Sequence, residues 1–223
     1  FPFEEGIYKE NQMDVSYVGN PLLDEIYKQN HKLEYSTQKK IITLIPGSRE
    51  QEIKHILPEM LKIVDQFSEY QFVLAATDSF STDFYDSFIR DYPVDLVFNK
   101  TYSLLANSYA ALVTSGTATL ETALFKVPQV VCYKTNFITY LLAKSFIKTK
   151  FISLVNILMN KLVVKELIQG DLNAKNLQYN LKQILEENSR KEILDSYNQL
   201  EQIIGKEGAS RKAAEEVLSF INQ

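Results

Sequence analysis

Short apolar runs alternate with longer stretches of helical periodicity over most of the chain. Five runs have the length of β-strands, and they are Ile41–Ile45, Phe72–Ala76, Leu96–Phe98, Ala111–Thr114 and Val130–Tyr133. They are apolar at most positions rather than at every second one, which is typical of parallel strands covered by helices on both faces. The pattern therefore predicts the α/β class, with a Rossmann-like parallel sheet flanked by helices.

Four of the stretches between these runs carry helical spacing, over Glu50 to about Phe67, Asp83–Asp91, Tyr102–Ser108 and Thr117–Phe125. Pro58 lies inside the first stretch, so we expect a kink or a new helix start there. After Asn173 we predict helices to the end, with turns at 188–189 and 205–208. The last helix has an apolar stripe that must pack against something, formed by Ala213, Ala214, Val217, Leu218 and Ile221.

Composition narrows the class of protein. The 223 residues are 45% hydrophobic, enough for a sizeable core, and a net charge of −4 disfavours a nucleic-acid-binding protein. The single cysteine, Cys132, excludes an internal disulfide or a zinc site built from cysteines, and its apolar run predicts burial. His31 and His55 lie among polar residues and are expected at the surface. We find no metal-ligand spacing and predict no metal.

Nothing in the sequence predicts a membrane span or a secretory signal. The most apolar stretch, Phe151–Val164, is interrupted by polar residues and is shorter than the roughly 20 apolar residues that a spanning helix needs. The first residues, Phe1-Pro2-Phe3-Glu4, include neither a Met nor the basic start of a signal peptide. We therefore expect a cytosolic chain cut from a longer protein.

The turn Pro46-Gly47-Ser48-Arg49 follows the first predicted strand directly. Gly47 permits a tight turn, Ser48 can cap the next helix, and the N–H groups at a helix start attract anions. Arg49 adds donors whose geometry matches phosphate oxygens. The alternative is an ordinary capped connection in which Arg49 pairs with Glu52.

A second loop, Ser115-Gly116-Thr117-Ala118-Thr119-Leu120-Glu121, follows the fourth predicted strand. It places a glycine and three hydroxyls at the carboxyl end of a strand, where open α/β sheets bind ligands. Glu121 lies one helical turn after Thr117 and can accept hydrogen bonds from a pair of sugar hydroxyls. The alternatives are an ordinary capped connection for the loop and a solvated acid in the first helical turn for Glu121. Neither loop matches a Walker loop or the Gly-x-Gly-x-x-Gly of dinucleotide folds, so the ATPase and dehydrogenase classes lose their main support.

Seven short motifs in one order resemble the C-terminal half of the lipid-A-disaccharide synthases, which are two-domain GT-B glycosyltransferases. The motifs are Phe1-Pro2-Phe3-Glu4, Tyr17-Val18-Gly19-Asn20-Pro21-Leu22-x-Asp24, Leu44-Ile45-Pro46-Gly47-Ser48-Arg49-x-x-Glu52-Ile53, Ser115–Glu121, Val127-Pro128-x-Val130-Val131-x-Tyr133-Lys134, Ile152-Ser153-Leu154-x-Asn156-Ile157-Leu158 and Glu166-Leu167-x-Gln169. Each motif is weak alone, but together they span nearly the whole chain. Three positions depart from the family pattern, since Asn20 replaces a His, and Val155 and Lys165 each replace a Pro. Asn20 can form hydrogen bonds but cannot exchange a proton near neutral pH.

The resemblance implies transfer of 2,3-diacylglucosamine from UDP-2,3-diacylglucosamine to 2,3-diacylglucosamine 1-phosphate (lipid X), which releases UDP. In the GT-B plan the nucleotide lies mostly on the C-terminal domain, and the acceptor and general base lie mostly on the N-terminal one. This chain would then be the UDP-binding half. The UDP-sugar is a substrate, so no cofactor is expected. The implied location is the cytoplasmic face of a Gram-negative inner membrane.

The resemblance also suggests residue roles. Arg49 and Asn156 are expected to act in catalysis, Arg49 on the departing diphosphate and Asn156, with Glu166, on the sugar or its leaving oxygen. Glu121 would hold the ribose hydroxyls, Lys134 a phosphate, and Gln169 further hydroxyls. For Asn156, Glu166 and Gln169, loop and cap hydrogen bonding is the alternative. The predicted UDP-sugar site comprises Gly47, Ser48, Arg49, Ser115, Gly116, Thr117, Ala118, Thr119, Glu121, Lys134, Asn156, Glu166 and Gln169.

We divide the chain into a lead-in over 1–35, a UDP-sugar-binding domain over 36–187, and C-terminal helices over 188–223. These last helices would pack on an absent N-terminal domain or on a partner chain, so a homodimer is open. Two other functions also stay open, another UDP-GlcNAc enzyme (a GlcNAc transferase or 2-epimerase) and a non-catalytic UDP-binding domain.

An acid-free segment predicts contact with an anionic lipid surface, with a core-packed helix as the alternative. From Thr122 to Lys165 the sequence has no Asp or Glu. Its seven lysines are Lys126, Lys134, Lys144, Lys148, Lys150, Lys161 and Lys165. The apolar residues interleaved with them are Phe137, Tyr140, Leu141, Leu142, Phe146, Ile147 and Phe151.

Overall fold

The computed structural model describes residues 1–28, 31, 35, 37–135 and 150–221. Its centre is a six-stranded parallel sheet in the order β3-β2-β1-β4-β5-β6. The strands are β1 (Lys40–Ile45), β2 (Tyr70–Ala76), β3 (Val94–Phe98), β4 (Ser108–Thr114), β5 (Gln129–Tyr133) and β6 (Lys165–Ile168). The predicted fold class and five predicted strands are confirmed, whereas β6 was not predicted. It is only four residues long and two of these are charged, so it lacks the apolar signal of the others.

Helices cover both faces of this sheet. In chain order, the helices of the described residues are α1 (Pro2–Glu10), α2 (Pro21–Lys28), α3 (Glu50–Leu61), α4 (Thr82–Ile89), α5 (Thr101–Ala106), α6 (Thr117–Leu124), α7 (Leu154–Met159), α8 (Ala174–Leu185), α9 (Glu187–Ile204) and α10 (Ala209–Ile221). Helix α3 continues past Pro58 to Leu61, and a separate 3-10 turn covers Val64–Phe67. The expected new helix start at Pro58 is therefore wrong. Among the described residues, no helix is both long and apolar enough to span a membrane.

The strands are buried because apolar side chains of the helices close over them. The interiors of β1 and β4 are fully enclosed, with Ile42, Leu44, Ala111 and Leu112 each at 0% exposure. Cys132 of β5 is buried as expected, and this burial raises the pKa of its thiol. One core lies under α3, α4, α8 and α9, and a smaller one lies under α5. Burial of this apolar surface is the main stabilising contribution to such a sheet.

The C-terminal helices differ in how they pack. The break between α8 and α9 falls at Glu186, two residues before the predicted turn, whereas the turn at 205–208 is confirmed. Helix α9 buries one face against this domain, through Ile193, Tyr197, Leu200 and Ile204. In α10 only Ala209 is buried, and its predicted apolar stripe stays largely exposed. We expected the helices over 188–223 to pack on an absent domain or on a partner chain. Helix α9 packs within this chain instead, so the expectation is left for α10 alone.

The segment before the sheet is anchored to the turn that precedes α10. The Asn20 side chain caps α2 by accepting the Leu22 N–H at 3.0 Å, so asparagine serves there without any proton exchange. The Asp24 carboxylate accepts the N–H groups of Gly208 and Ser210. These backbone donors hold the pKa of Asp24 well below its usual range. The motif around Asn20 and Asp24 thus has a structural role, which the sequence did not reveal.

Candidate nucleotide-sugar site

The strand order reverses between β1 and β4, and this is where the two candidate loops meet. Strands β2 and β3 follow β1 on one side, and β5 and β6 follow β4 on the other. Ile45 at the end of β1 pairs with Val113 near the end of β4. The 46–49 turn and the 115–117 loop therefore leave the sheet side by side, at the topological switch point where open α/β sheets bind ligands.

The backbone geometry of the β1–α3 turn requires a glycine at position 47. Its φ is +119°, which L side chains rarely adopt, and a Cβ there would lie 2.8 Å from Glu52 Cβ. Glu52 sits in the first turn of α3, where its carboxylate accepts the Arg49 N–H at 3.4 Å and a guanidinium N–H at 2.9 Å. Arg49 is the N-cap of α3 and Ser48 is exposed, so the expected capping by Ser48 is wrong.

Arg49 pairs with Glu52, as the alternative expected, and yet it remains accessible. Its side chain is 82% exposed. An exposed ion pair contributes only about 0.2–1 kcal/mol, so the guanidinium can exchange Glu52 for a stronger anion at little cost. The pairing therefore leaves a phosphate role for Arg49 possible in energy and in space.

The β4–α6 loop presents open space at the start of a helix. Gly116 is the N-cap of α6, and no described residue lies within 4 Å of where its Cβ would be. Gly116 and Thr117 are exposed and Ala118 is half-buried. Thr119 differs, since its buried hydroxyl donates to the Gly116 carbonyl at 2.8 Å and its N–H donates to the same oxygen at 3.2 Å. Thr119 thus shapes the loop, and the N–H groups of Thr117 and Ala118 are better placed for an anion.

Glu121 lies one turn into α6 in a partly buried position. Its Oε1 accepts a hydrogen bond from the Tyr102 hydroxyl at 3.2 Å. Burial raises the pKa of the Glu121 carboxyl, and the Tyr102 bond only partly opposes this effect. Burial also raises the pKa of Tyr102. Tyr102 was not predicted as a site residue, because it occupies an ordinary helix start after β3 and no motif marks it.

Lys134 is held by an acid that the sequence analysis did not single out. Its Nζ donates to Glu59 Oε1 at 2.6 Å, and Lys62 donates to the other oxygen at 2.7 Å. Burial opposes ionisation of Glu59, but the two lysines outweigh it and lower the pKa of this carboxyl. A phosphate at Lys134 would have to compete with Glu59 for the ammonium group.

Asn156 is fully buried, and all of its amide groups have partners inside the protein. Its Nδ2 donates to the Val164 carbonyl and to Glu166 Oε1, each at 2.8 Å. Its Oδ1 accepts the N–H groups of Val163 at 2.8 Å and Val164 at 3.0 Å. An amide without an exposed atom cannot touch a sugar in this arrangement. We therefore revise the expected catalytic contact of Asn156 to a structural role.

Glu166 and Gln169 also bond to their own backbone surroundings. Glu166 accepts N–H groups of Ile152 and Ser153 as well as the Ser153 hydroxyl. Gln169 has a φ of +52°, and its amide forms a reciprocal pair with the Thr135 backbone at 2.9 and 3.1 Å. Loop hydrogen bonding, the alternative we stated, describes both residues.

Several other predictions have mixed outcomes. His55 is exposed, but His31 is half-buried, with its ring edge-on to Phe125 at 5.0 Å, so a purely surface role for His31 is wrong. Most apolar members of the expected lipid surface, Phe137 to Ile147, lie outside the described residues, as do Lys144 and Lys148. Of the described lysines, Lys126 pairs with Glu201 and Lys134 with Glu59.

The strand order and the loops at its switch point define a fold class, the Rossmann-like domains of the GT-B type. Among solved structures, the chain resembles a S. aureus MnaA-UDP co-structure (TM-score 0.64, 15% identity, 99% of this chain and 57% of that one). It also resembles a UDP-N-acetylglucosamine 2-epimerase (0.61, 18%, 98% and 55%) and the glycotransferase of kitacinnamycin (0.55, 12%, 84% and 45%). At these identities the likeness shows the fold alone, so it does not favour an epimerase over a transferase.

Sequence comparison identifies the family within this class. The family model for lipid-A-disaccharide synthetase matches residues 1–220, and the chain belongs to that family. It is 36% identical over its whole length to the lipid-A-disaccharide synthase of Syntrophus aciditrophicus and 34% identical over 99% of its length to that of Colwellia psychrerythraea. The chain spans 62% and 59% of these two relatives, about three fifths of their length.

Proposed function

We propose that this chain is the nucleotide-binding half of a lipid-A-disaccharide synthase. The reaction is transfer of 2,3-diacylglucosamine from UDP-2,3-diacylglucosamine to lipid X, with release of UDP. The observation that carries the proposal is the meeting, in a member of this family, of the accessible Arg49 and the open start of α6 at the switch point of the sheet. The acceptor and the general base belong to the part of the relatives' length that this chain does not span.

The chemistry explains why these groups suit the reaction. Negative charge develops on the diphosphate as the sugar leaves, and fixed donors aimed at that charge stabilise the transition state. Arg49 supplies a guanidinium, and the N–H groups of Thr117 and Ala118 at the start of α6 supply backbone donors. Glu121 keeps one carboxylate oxygen for ribose hydroxyls, because Tyr102 is the only described side chain with a hydrogen bond to it. Asn156 and Glu166 act on the loop rather than on the sugar.

Calorimetric titration of the chain with UDP, UMP and ADP tests the nucleotide site. We expect selective UDP binding, weakened about tenfold or more by Arg49→Ala, since a charge-assisted hydrogen bond contributes about 1.5–3 kcal/mol. Glu121→Ala should weaken UDP and UMP alike, because both carry the ribose. Arg211→Ala is the matched control, because Arg211 is also an exposed arginine (78%) paired to a helical glutamate. Equal affinity for UDP and ADP, or equal loss with Arg211→Ala, would contradict the proposal.

We expect turnover only from this chain as part of a protein of its relatives' full length. That protein should form the disaccharide from UDP-2,3-diacylglucosamine and lipid X, and Arg49→Ala should lower kcat/KM at least as much as it lowers UDP affinity. We also propose that no metal takes part, so excess chelator should leave the rate unchanged. Loss of activity with chelator would refute this part alone.

We further propose that the protein works on the cytoplasmic membrane surface, where its acylated substrates lie, and that α10 mediates dimer formation. The acid-free segment with seven lysines supports the first idea, and the exposed stripe of α10 supports the second. Binding to anionic vesicles that is unaffected by charge reversal of Lys144, Lys148 and Lys150 would contradict the former. A strictly monomeric profile in light scattering would contradict the latter.

A further inference from the structure

The carboxylate of Glu166 collects donors from the segment that precedes α7. It accepts the N–H of Ile152 at 3.1 Å, the N–H of Ser153 at 2.9 Å and the Ser153 hydroxyl at 2.7 Å. Asn156 adds its Nδ2 at 2.8 Å. Ser153 and Asn156 are fully buried, so water does not compete for them and these bonds hold the segment firmly.

One residue of this segment also contacts the β4–α6 loop. The carbonyl of Ile152 accepts the hydroxyl of Ser115 at 2.9 Å, while the N–H of the same residue is bound to Glu166. Ser115 is the first residue after β4, and its own N–H donates to the Cys132 carbonyl at 3.2 Å. A continuous chain of hydrogen bonds therefore runs from Glu166 through Ile152 to the loop before α6.

The loop at the end of this chain has few other fixed contacts at its tip. Gly116 and Thr117 are exposed, and no described residue lies within 4 Å of a Cβ at Gly116. Backbone donors that receive developing charge are effective only when their positions are set beforehand. The bond from the Ser115 hydroxyl to the Ile152 carbonyl is the described side-chain contact that ties the start of this loop to the segment before α7.

We infer that Glu166 is a positioning residue for the β4–α6 loop, acting through the Ile152 peptide and the Ser115 hydroxyl. The effect on the loop is a property of the ligand-free protein, whereas the consequence for UDP rests on the proposed function. Without Glu166 the Ile152 peptide loses its fixed position, the Ser115 hydroxyl loses its anchor, and the loop that carries the N–H groups of Thr117 and Ala118 is held less firmly.

The test is a double-mutant cycle with two readouts, UDP affinity by calorimetry and hydrogen–deuterium exchange of residues 114–120 without ligand. Ser115→Ala and Glu166→Gln should each raise the Kd for UDP about tenfold and speed exchange in the loop. The double variant should also raise the Kd for UDP about tenfold rather than a hundredfold, because both substitutions break the same path of hydrogen bonds. Ser115→Thr keeps the hydroxyl and should retain most of the affinity. If Glu166→Gln does not fold, Glu166→Asp, which keeps the charge but shortens the side chain, takes its place in the cycle with the same expected results.

Asn173→Ala is the control, because it also removes a hydrogen bond between a side chain and the backbone, but outside the path from Glu166 to Ser115. This is the 3.0 Å bond from the Asn176 N–H to Asn173 Oδ1 at the start of α8. It should lower the melting temperature without speeding loop exchange. Additive effects of the two variants, or loop exchange that Glu166→Gln leaves unchanged, would overturn the inference. If the unmodified chain does not bind UDP, the nucleotide proposal fails, and the exchange data still decide whether Glu166 fixes the loop.

Discussion

The β1–α3 turn and the 150–166 segment both adjoin the β4–α6 loop, and they treat their polar side chains in opposite ways. In the turn, Arg49 is 82% exposed and shares one exposed ion pair with Glu52. In the segment, Asn156 is fully buried and uses every hydrogen-bonding group of its amide. Only the first arrangement leaves donors that a ligand can take.

This difference separates two reasons for a polar residue to recur in a motif beside an active site. A binding residue needs unsatisfied capacity at the surface, and its loss costs affinity more than stability. A positioning residue needs complete satisfaction in the interior, and its loss costs stability first. Arg49 fits the first description and Asn156 the second.

The largest expected effect is on the buried side. Asn156→Ala leaves the N–H groups of Val163 and Val164, and one oxygen of Glu166, with a lost partner in the interior. We expect a loss of about 3 kcal/mol in the free energy of unfolding, measured by urea denaturation. Asn198→Ala is the control, since Asn198 is exposed within α9, and it should change stability by less than about 0.5 kcal/mol. A loss for Asn156→Ala as small as that of the control would break the comparison.

A second prediction concerns the backbone of the exposed side. Gly47→Ala places a Cβ against Glu52 at a φ of +119°, and we expect a loss of about 2 kcal/mol together with weaker UDP binding. Gly170→Ala is matched to it, because no described residue lies within 4 Å of a Cβ there, and it should be nearly neutral in urea denaturation. Equal midpoints for the two variants would show that the turn adapts and that Gly47 does not set the Arg49–Glu52 geometry.

The sequence predicted those elements of the fold that carry a strong local pattern, and it missed those that depend on distant contacts. Apolar runs gave five strands of the sheet to within a few residues, because buried parallel strands carry a strong local signal. Strand β6 and helices α1, α2 and α7 have weak or short patterns, and contacts distant in sequence stabilise β6, α2 and α7 instead. The capping of α10 by Asp24 joins positions about 185 residues apart, which no local periodicity reveals.

The candidate site was predictable in position but not in role. Motif order and the strand–loop pattern located Arg49, Ser115 and Glu121 at one edge of the sheet. The same reasoning could not distinguish a binding residue from a positioning residue, because an Asn or a Glu in a loop-rich stretch has the same sequence pattern in either role. Burial and the count of satisfied donors make that distinction for Asn156 and Glu166, and both depend on the tertiary fold.

A smaller effect is expected for Glu121. Burial raises its pKa in the folded protein, so the folded state binds the proton more tightly than the unfolded state does. The contribution of this group to stability therefore grows as the pH falls through the raised pKa toward the unfolded value of about 4.3. Glu121→Gln removes the titration, and the difference in urea midpoint between pH 5 and pH 7 should shrink. An unchanged difference would contradict a raised pKa of the Glu121 carboxyl.

The smallest expected effect is the stability of Arg49→Ala, and it completes the comparison because the assignment of Arg49 demands a near-absence of change. An exposed ion pair contributes at most about 1 kcal/mol. The conformational entropy that a long arginine side chain loses when it is held in such a pair offsets part of that contribution. We expect Arg49→Ala and Arg211→Ala to shift the unfolding free energy by less than about 0.5 kcal/mol each, in parallel urea denaturations. Their UDP affinities should nevertheless differ tenfold or more. If Arg49→Ala instead cost as much stability as Asn156→Ala, Arg49 would be a positioning residue of the β1–α3 turn, and the anion site at the switch point would lose its main cation.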